Sequence, residues 1–571
     1  MSSQHTSGAQ IVIDTLVAEG VEVAFGYPGG TIMPVHDAFF SEHRIRHVLV
    51  RHEQGAAFAA GGYARTTGKV GVCIATSGPG ATNLVTGICD AMMDSVPVVA
   101  ITGQVRSPLM GTDGFQEADV AAITSTITKR NIVVRDVESI ALALHAAFEL
   151  ARGPRPGPVL VDIPTDVLRT KIEARTVGDG NANGRRPKGA AASEAWELDE
   201  AAFENAVELI CASKRPLVIV GGGARISNAV ESYRRFMRLL NAPHTSTING
   251  LGAADPGDPN FLGMCGMHGW KAANKAIGEC DLILAMGMRF DDRVTGRTDR
   301  FARQAKIIHA DIDASEFNKI IPVDVALQGD LDAVLRELIA RLSERTLPDF
   351  SAWRERVREL HAPLPTDRTE GGMLSATDVL DAFFELAPQN VVVTVDVGQH
   401  QMWAAQRARP VHPRHFISSS GLGAMGFGLP AGIGAQLAHP EKPVVAIVGD
   451  GGLQMTMNEF ATIRRHELPL KVLLIDNRNL GMVRQWQQLF YEKRYSATSL
   501  YDNPDFVAIA KAYGIEATAV DDPAQLRPAI EALLRSERPM LLHAKCFPNE
   551  CVFPMIPAGA AIDEMIDGAP V

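Results

Sequence analysis

Short, uninterrupted apolar runs alternate with helix-period segments along almost the whole chain, and many of the runs end in a glycine-rich turn. VGVCIAT runs into TSGPG, PLVIV into GGG, and VVAIV into GDGG. A strand that is apolar on both faces has to be covered on both, which calls for a parallel sheet flanked by helices. With roughly 100–200 residues per domain as the rule, 571 residues divide into about three domains. The expected fold class is therefore α/β, with three doubly wound parallel-sheet domains.

The first domain is expected over residues 1–175, with a helix from Ala9 to Glu19 and strands at Val21 to Phe25 and His47 to Val50. A helix after Glu53 and the strands VGVCIAT, VPVVAIT and GPVLVDIP complete it. Residues 176–198 hold VGDGNANGRRPKGAAAS, a Gly, Asn and Ala-rich linker composition. The second domain spans 199–347, opening on a helix from Asp199 and running through PLVIV, DLILAMG and KIIHADID. A charged helix and the loop HAPLPTDRTEGG make 348–372 a second linker, and 373–571 form the third domain, with strands at VVVTVD, KPVVAIVGD, LKVLLIDN and PMLLHAK.

Composition narrows the function. Hydrophobic residues at 46% and charged residues at 21% are ordinary for a globular chain. The 55 Lys and Arg against 66 Asp and Glu give a net charge of −11 with no basic block, which argues against a nucleic-acid partner. No apolar stretch reaches the about 18 residues of a membrane span, and MSSQHTSGAQ carries no export signal. Seven dispersed cysteines without a CxxC spacing read as thiols in a reducing compartment, so a cytoplasmic protein is expected.

Two positions carry the chemistry. Asp450 ends the run VVAIVG, and Asn477 follows VLLID a little under thirty residues later. In a parallel sheet both leave from the carboxyl edge, where ligands bind. A carboxylate with a carboxamide supplies hard oxygens suited to Mg²⁺ and phosphate. Gly449, Gly451 and Gly452 let the backbone approach a diphosphate, and the following helix N-terminus offers amide donors. GDG alone is as well explained by a plain turn; the spaced asparagine shifts the balance toward a metal site. Glu53, in RHEQGAA, opens an apolar helix and on its own reads as a first-turn glutamate complementing the dipole.

GDG, the spacer and the closing Asp476-Asn477 resemble the thiamine diphosphate signature, whose usual ending is Asn-Asn. FGYPGG (25–30), TSGPGATNL (76–84), AITGQV (100–105), GFQEAD (114–119), RPGPVLVDIP (155–164), GMHG (266–269), RFDDRVTG (289–296), VDVGQHQMW (395–403), GAMGFGLPA (423–431) and LGMVRQWQQLFY (480–491) are similar, in that order, to acetolactate synthases, also called acetohydroxyacid synthases. The resemblance runs from about residue 9 to residue 560. It implies a pyrimidine-binding first domain, an FAD-binding central domain and a diphosphate-binding third domain.

The same resemblance implies the site residues. Thiamine diphosphate would meet Gly29, Glu53, Thr76, Gly80 and Asn83 in the first domain. In the third it would meet Val397, Gly398, Gln399, His400, Gly423, Met425, Gly449, Asp450, Gly451, Gly452, Met455, Asn477, Gly481 and Met482. Mg²⁺ would take Asp450, Asn477 and the Asn479 carbonyl. FAD would lie against Gly221, Gly222, Gly223, Met264, His268, Gly287, Arg289, Asp292, Arg293, Asp311, Ile312 and Asp330, with Asp313 nearby. Glu53, Gln116 and Trp486 are the implied catalytic residues, with Arg484 a weaker candidate for the acceptor's carboxylate. Taken alone, GGG is a strand–helix turn, and Met425 and Trp486 are core residues.

The activity implied is decarboxylation of pyruvate and transfer of the two-carbon unit to a second 2-oxo acid, pyruvate or 2-oxobutyrate. An FAD-dependent pyruvate oxidase or another thiamine diphosphate decarboxylase is the alternative. Family members place the cofactor between subunits, so a homodimer or tetramer is implied, and a small regulatory subunit accompanies the biosynthetic members. The chain departs from the family pattern at Thr31, Arg106, Gly114 and Thr165, around the expected substrate channel. These departures predict weak inhibition by sulfonylurea and imidazolinone compounds.

Overall fold

A computed structural model of the chain describes residues 5–173, 199–364 and 372–568. The expected linker 176–198 and residues 365–371 of the second one lie outside these residues. Among the described residues, three parallel sheets of six strands each dominate, alongside a two-stranded ribbon pairing His5–Ser7 with Lys171–Glu173.

The first sheet holds β1 (Val23–Gly26), β2 (Arg46–Leu49), β3 (Gly71–Ala75), β4 (Val98–Gln104), β5 (Arg130–Val133) and β6 (Pro158–Pro164), in the order β2-β1-β3-β4-β6-β5. The second holds β7 (Pro216–Val220), β8 (His244–Ser246), β9 (Phe261–Met264), β10 (Leu282–Met286), β11 (Lys306–Asp311) and β12 (Val325–Gln328), in the order β9-β8-β7-β10-β11-β12. That is the doubly wound order of dinucleotide-binding folds. The third holds β13 (Val392–Val395), β14 (Phe416–Ser418), β15 (Val444–Gly449), β16 (Lys471–Asp476), β17 (Glu516–Val520) and β18 (Met540–Lys545). Its order, β14-β13-β15-β16-β18-β17, repeats that of the first sheet.

The apolar runs of the sequence are the central strands. The strands that criterion does not pick out are β5, β8, β9, β12, β14 and β17, and all but β8 lie at a sheet edge. Edge strands are half solvated, so sequences such as RNIV and EATAV carry no buried-strand signature.

Two helices join the first and third sheets. α1 (Glu53–Thr67) is capped by the His52 ring and stopped by Gly68 in the left-handed region, at φ 78°. α2 (Gly428–Ala438) lies against it so closely that β-carbons at Gly62 and Gly434 would collide with the Ala431 and Ala59 carbonyls. One apolar core, including Phe25, Phe58, Phe427 and Val448, therefore serves both sheets. The second sheet has its own, around Val218, Phe236, Leu284 and Leu338. The charged helix Ser351–Glu359 packs on that second unit through Trp353, whose indole N–H donates to the Pro216 carbonyl at 2.9 Å.

All three units meet at one carboxylate. Asp94 Oδ2 accepts from the Arg65 guanidinium at 3.1 Å and from the Ser420 amide at 2.9 Å. Its Oδ1 accepts from the Gly421 amide at 2.9 Å and the Asn249 amide group at 3.1 Å. Arg65 is fully buried and also binds Asp90 at 2.8 Å. No helix among the described residues is long and apolar enough to cross a membrane.

Removing Asp94 leaves the buried Arg65 with Asp90 alone and strips the acceptor from the Asn249, Ser420 and Gly421 donors. Asp94→Ala is expected to lower the unfolding free energy by about 3–5 kcal/mol. Urea denaturation reads this, and an unchanged midpoint would contradict the role given to Asp94.

Candidate active site

In each sheet the strand order reverses at a central pair of neighbours: β1 and β3, β7 and β10, β13 and β15. Loops leaving such a pair diverge and open a crevice at the carboxyl edge. The motifs singled out in the sequence stand at these three crevices.

In the third sheet β13 is followed by Asp396, Val397 and Gly398 and then by Gln399 and His400, which open the helix Gln399–Arg407, while β15 runs directly into the helix Asp450–Thr456, whose first turn holds Asp450, Gly451 and Gly452. Side chains of the first segment press on the backbone of the second. A β-carbon at Gly449 would lie 2.7 Å from the His400 ring, and one at Gly452 would lie 2.7 Å from Asp396 Oδ1. His400 is buried, burial depresses its pKa to about 4, and its Nε2 has no hydrogen-bond partner. Asp396 accepts from the amides of Val397, Gly426 and Gly428 at 2.6, 2.9 and 3.0 Å, so it pins the segment that holds Gly423 and Met425. The Met425 methyl reaches Gly451, while Met455 is 56% exposed beside Gly426.

Asp450 is buried beside a second carboxylate. Asn503 Nδ2 donates to Asp450 Oδ2 at 2.8 Å and to Asp476 Oδ1 at 3.0 Å, and His543 Nε2 lies 2.8 Å from Asp476 Oδ2. Burial, and then the Asp476 charge, push the Asp450 carboxyl well above the usual range. Asn477 Nδ2 donates to Gln399 Oε1 at 3.0 Å, which turns its Oδ1 toward the Asn479 amide at 3.2 Å. Gly481 is required here, because a β-carbon would collide with Gln399 Oε1; Met482 is the next residue of helix Gly481–Phe490. Among the described residues no group of three His, Cys, Asp or Glu side chains is arranged to hold a metal. Asp450, Asn477 and the Asn479 carbonyl instead offer one carboxylate and two amide-type oxygens.

The first crevice gathers Gly29, Thr76, Gly80, Asn83, Glu53 and Gln116. Glu53 is 8% exposed at the start of α1, and Asn83 Nδ2 donates to its Oε2 at 2.9 Å. A β-carbon at Gly80 would stand 3.2 Å from Glu53 Oε1, and one at Gly29 would lie 2.5 Å from Thr76. The Thr31 hydroxyl lies 2.9 Å from Thr76 Oγ1 and accepts from the Ser77 amide at 3.0 Å, tying the two loops together. Gln116 takes a left-handed φ of 59°, with its backbone against Gly78.

The second crevice lies between Gly221, Gly222 and Gly223 on one side and Gly287 on the other; the Gly223 amide donates to the Gly287 carbonyl at 2.9 Å. Asp311 ends β11 with its carboxyl raised to about 6 by burial, and Ile312 beside it is half-buried. His268 is buried with Nδ1 unpartnered. Arg289 is half-buried, whereas Asp292 and Arg293 are exposed. Three residues have other engagements. Asp330 caps the helix Leu331–Ser343, Asp313 pairs with Arg155 at 2.7 Å, and Met264 is buried among third-unit residues such as Leu374 and Trp403.

Trp486 sits in helix Gly481–Phe490 against Cys551, Phe553 and Met555, its indole N–H buried without a partner. Arg484 stacks on Tyr495 at 4.9 Å. Within one chain Glu53 and Asp450 share no hydrogen-bond partner: the first binds Asn83, the second Asn503.

Asp396, Glu459 and Asn503 are site residues the sequence reading did not single out. Glu459 of the third unit accepts from the Arg51 and His52 amides at 2.9 and 3.1 Å and so fixes the entry to α1. The partners that tie them to the site lie far away in sequence. Asp396 alone had a signal, since VVVTVDVG repeats the pattern of VVAIVGDG, an aspartate at the end of an apolar run.

Gly481→Ala forces Gln399 away from Asn477 and is expected to destabilise the chain by about 1–3 kcal/mol, as overpacking does. Chemical denaturation checks this; wild-type stability would mean that the Gln399–Asn477 contact yields freely.

Three family models match the chain: the N-terminal TPP binding domain of thiamine pyrophosphate enzymes over residues 6–123, the central domain over 203–338, and the C-terminal TPP binding domain over 396–544. The chain is 47% identical over 561 residues to the acetolactate synthase isozyme 2 large subunit of Escherichia coli K12, covering 98% of this chain and 99% of that protein. It is 45% identical to the acetolactate synthase large subunit of Parasynechococcus marenigrum, covering 99% and 91%. With that of Lactococcus lactis it shares 43% identity, covering 98% and 96%. With three matching domain models in order and full-length relatives at this identity, the chain belongs to the acetolactate synthase large-subunit family of thiamine pyrophosphate enzymes.

Proposed function

We propose that this chain makes acetolactate: it decarboxylates pyruvate and joins the two-carbon unit to a second 2-oxo acid, giving 2-acetolactate from pyruvate or 2-aceto-2-hydroxybutyrate from 2-oxobutyrate. The observation that carries this reading is the pair of crevices with opposite equipment. One presents a buried carboxyl, Glu53, held by Asn83, and the other presents Asp450 and Asn477 at the end of adjoining strands.

Thiamine diphosphate, when bound, supplies the electron sink for loss of carbon dioxide. Glu53 would hold and return the proton of its aminopyrimidine ring. Asp450, Asn477 and the Asn479 carbonyl would hold Mg²⁺. The donor set fits, because Asp450 is buried against another carboxylate and the Gln399 bond occupies the Asn477 nitrogen, so that its oxygen, which takes only the Asn479 amide, keeps a lone pair for a cation. Gln116 would orient the reacting acid, and Trp486 would wall the acceptor side. FAD would occupy the second crevice, where the glycine loops, Asp311 and the unpartnered His268 nitrogen support it.

A second copy of the chain would complete the site. Phe115, next to Gln116, is 90% exposed, and Tyr501 is 83% exposed, apolar surface of the kind a subunit interface covers. The relatives are named as large subunits, which supports a small regulatory subunit as a further partner. Cys73, Cys89, Cys211, Cys265, Cys280 and Cys546 are thiols outside any disulfide, in keeping with a reducing, cytoplasmic setting.

Purified protein given pyruvate, Mg²⁺ and thiamine diphosphate should form acetolactate with no electron acceptor present. A requirement for flavin reoxidation would instead favour the oxidase reading. Glu53→Gln should keep the fold and lower kcat by about 10²–10⁴-fold, the span of proton-transfer catalysis; near-wild-type carboligation would sink the assignment. Asp450→Ala should abolish Mg²⁺-dependent thiamine diphosphate binding in calorimetric titration, and unchanged affinity would refute the metal site.

A further inference from the structure

A buried carboxylate in the first sheet has no part in the roles given above. Asp162, in β6, is 1% exposed. Its Oδ1 accepts from the Thr102 hydroxyl at 2.7 Å and its Oδ2 from Gln104 Nε2 at 3.0 Å. The same Gln104 nitrogen donates to the Ala118 carbonyl at 2.9 Å, and Gln104 Oε1 accepts from the Val105 amide at 2.8 Å. Every polar atom of the Gln104 side chain is therefore matched in one orientation only. Turning the amide over would set an oxygen against a carboxylate and a carbonyl, and a donor against an N–H.

Ala118 lies two residues beyond Gln116, in a loop that is held in an unfavourable shape. A non-glycine residue in the left-handed region costs about 1–2 kcal/mol, and Gln116 sits there at φ 59°. Such a conformation persists only where its surroundings over-determine it. On one side the Gln116 backbone presses on Gly78, where a β-carbon would lie 2.8 Å from the Gln116 carbonyl oxygen. At the loop's apex the Glu117 carboxylate accepts from the Gly114 amide at 3.0 Å and the Thr112 amide at 3.1 Å. These contacts shape the loop, but Glu117 belongs to the loop itself and anchors it to nothing else. The Gln104 bond to Ala118 is the tie from the loop to the carboxyl end of a central strand.

We infer that Gln104, oriented by Asp162, is a positioning residue for Gln116: it clamps the Ala118 carbonyl to the sheet edge and thereby fixes where the Gln116 side chain stands at the first crevice. This rests on the role proposed for Gln116. A device of this kind acts on geometry at the reacting centre, where small misplacements are expensive in rate. It should therefore show in turnover more than in cofactor affinity.

The test is a double-mutant cycle on the full-length holoenzyme, with Gln104→Ala, Gln116→Ala and the double variant compared for acetolactate formation, thiamine diphosphate affinity and thermal unfolding. Gln104→Ala is expected to lower kcat about tenfold with cofactor affinity within about twofold of wild type, and to have almost no further effect in the Gln116→Ala background. Equal fold-losses in both backgrounds, or no loss in the wild-type background, overturn the clamp. If Gln104→Ala fails to fold, Thr102→Val takes its place: it loosens Asp162 with little change of volume, and its smaller kcat loss must likewise vanish when Gln116 is removed. Full activity in Gln116→Ala alone would refute the Gln116 assignment and the clamp with it. A loss there, combined with additive Gln104 effects, refutes the clamp alone.

Discussion

The Asp94 carboxylate is the point on which the arrangement of the three sheets turns. Its four donors come from the first unit at Arg65, the second at Asn249, and the third at Ser420 and Gly421. A buried guanidinium demands charged partners, because the desolvation of an isolated ion exceeds what packing supplies. Arg65 finds two, Asp90 and Asp94, and lies over the Phe427 ring at 4.9 Å. Since Arg65 belongs to α1, which begins at Glu53, the same knot sets α1 against the loop that leads to Met425.

Around that knot one rule of parallel sheets acts three times. Where the strand order reverses, backbone loops separate and leave a crevice, and the glycines at its lips are there because the opposing loop leaves no room for a β-carbon. The first and third sheets reach the same strand order with no residue-level repeat between them. Their contents differ in kind. The first crevice holds a glutamate and an asparagine at hydrogen-bond distance, suited to handling a proton; the third holds an aspartate and an asparagine beside a second carboxylate, suited to a cation. The second sheet has the strand order of dinucleotide-binding folds, with Gly221–Gly223 facing Gly287 where that order reverses.

Positioning groups surround both chemical crevices. Asp396 holds the Gly426 and Gly428 amides, Glu459 holds the entry to α1, and Asn503 spans Asp450 and Asp476. None touches the residues it serves through chain proximity. Asp396 and Glu459 accept from amides of a distant segment, and the Asn503 amide group donates to two carboxylates at once, so each polar group is held between segments far apart in the chain.

The fold class, the central strands and the strand-end positions of the main candidate residues were legible in the sequence. A short unbroken apolar run that ends in a glycine or turn signal reads as a strand covered on both faces, and in a parallel sheet whatever follows that run stands at the carboxyl edge, so the strand-end positions of Asp450 and Asn477 followed from local pattern. Glu53 was legible only in company with them, since a first-turn glutamate is common for reasons of the helix dipole. Tertiary structure decided the rest. Strand order depends on pairing between segments far apart, and half-solvated edge strands such as β5 and β17 carry no burial signal. The partners of Asp94, Asp162 and Asp396 lie tens to hundreds of residues away or on the backbone, and no local pattern of side chains encodes which amide a buried carboxylate will meet.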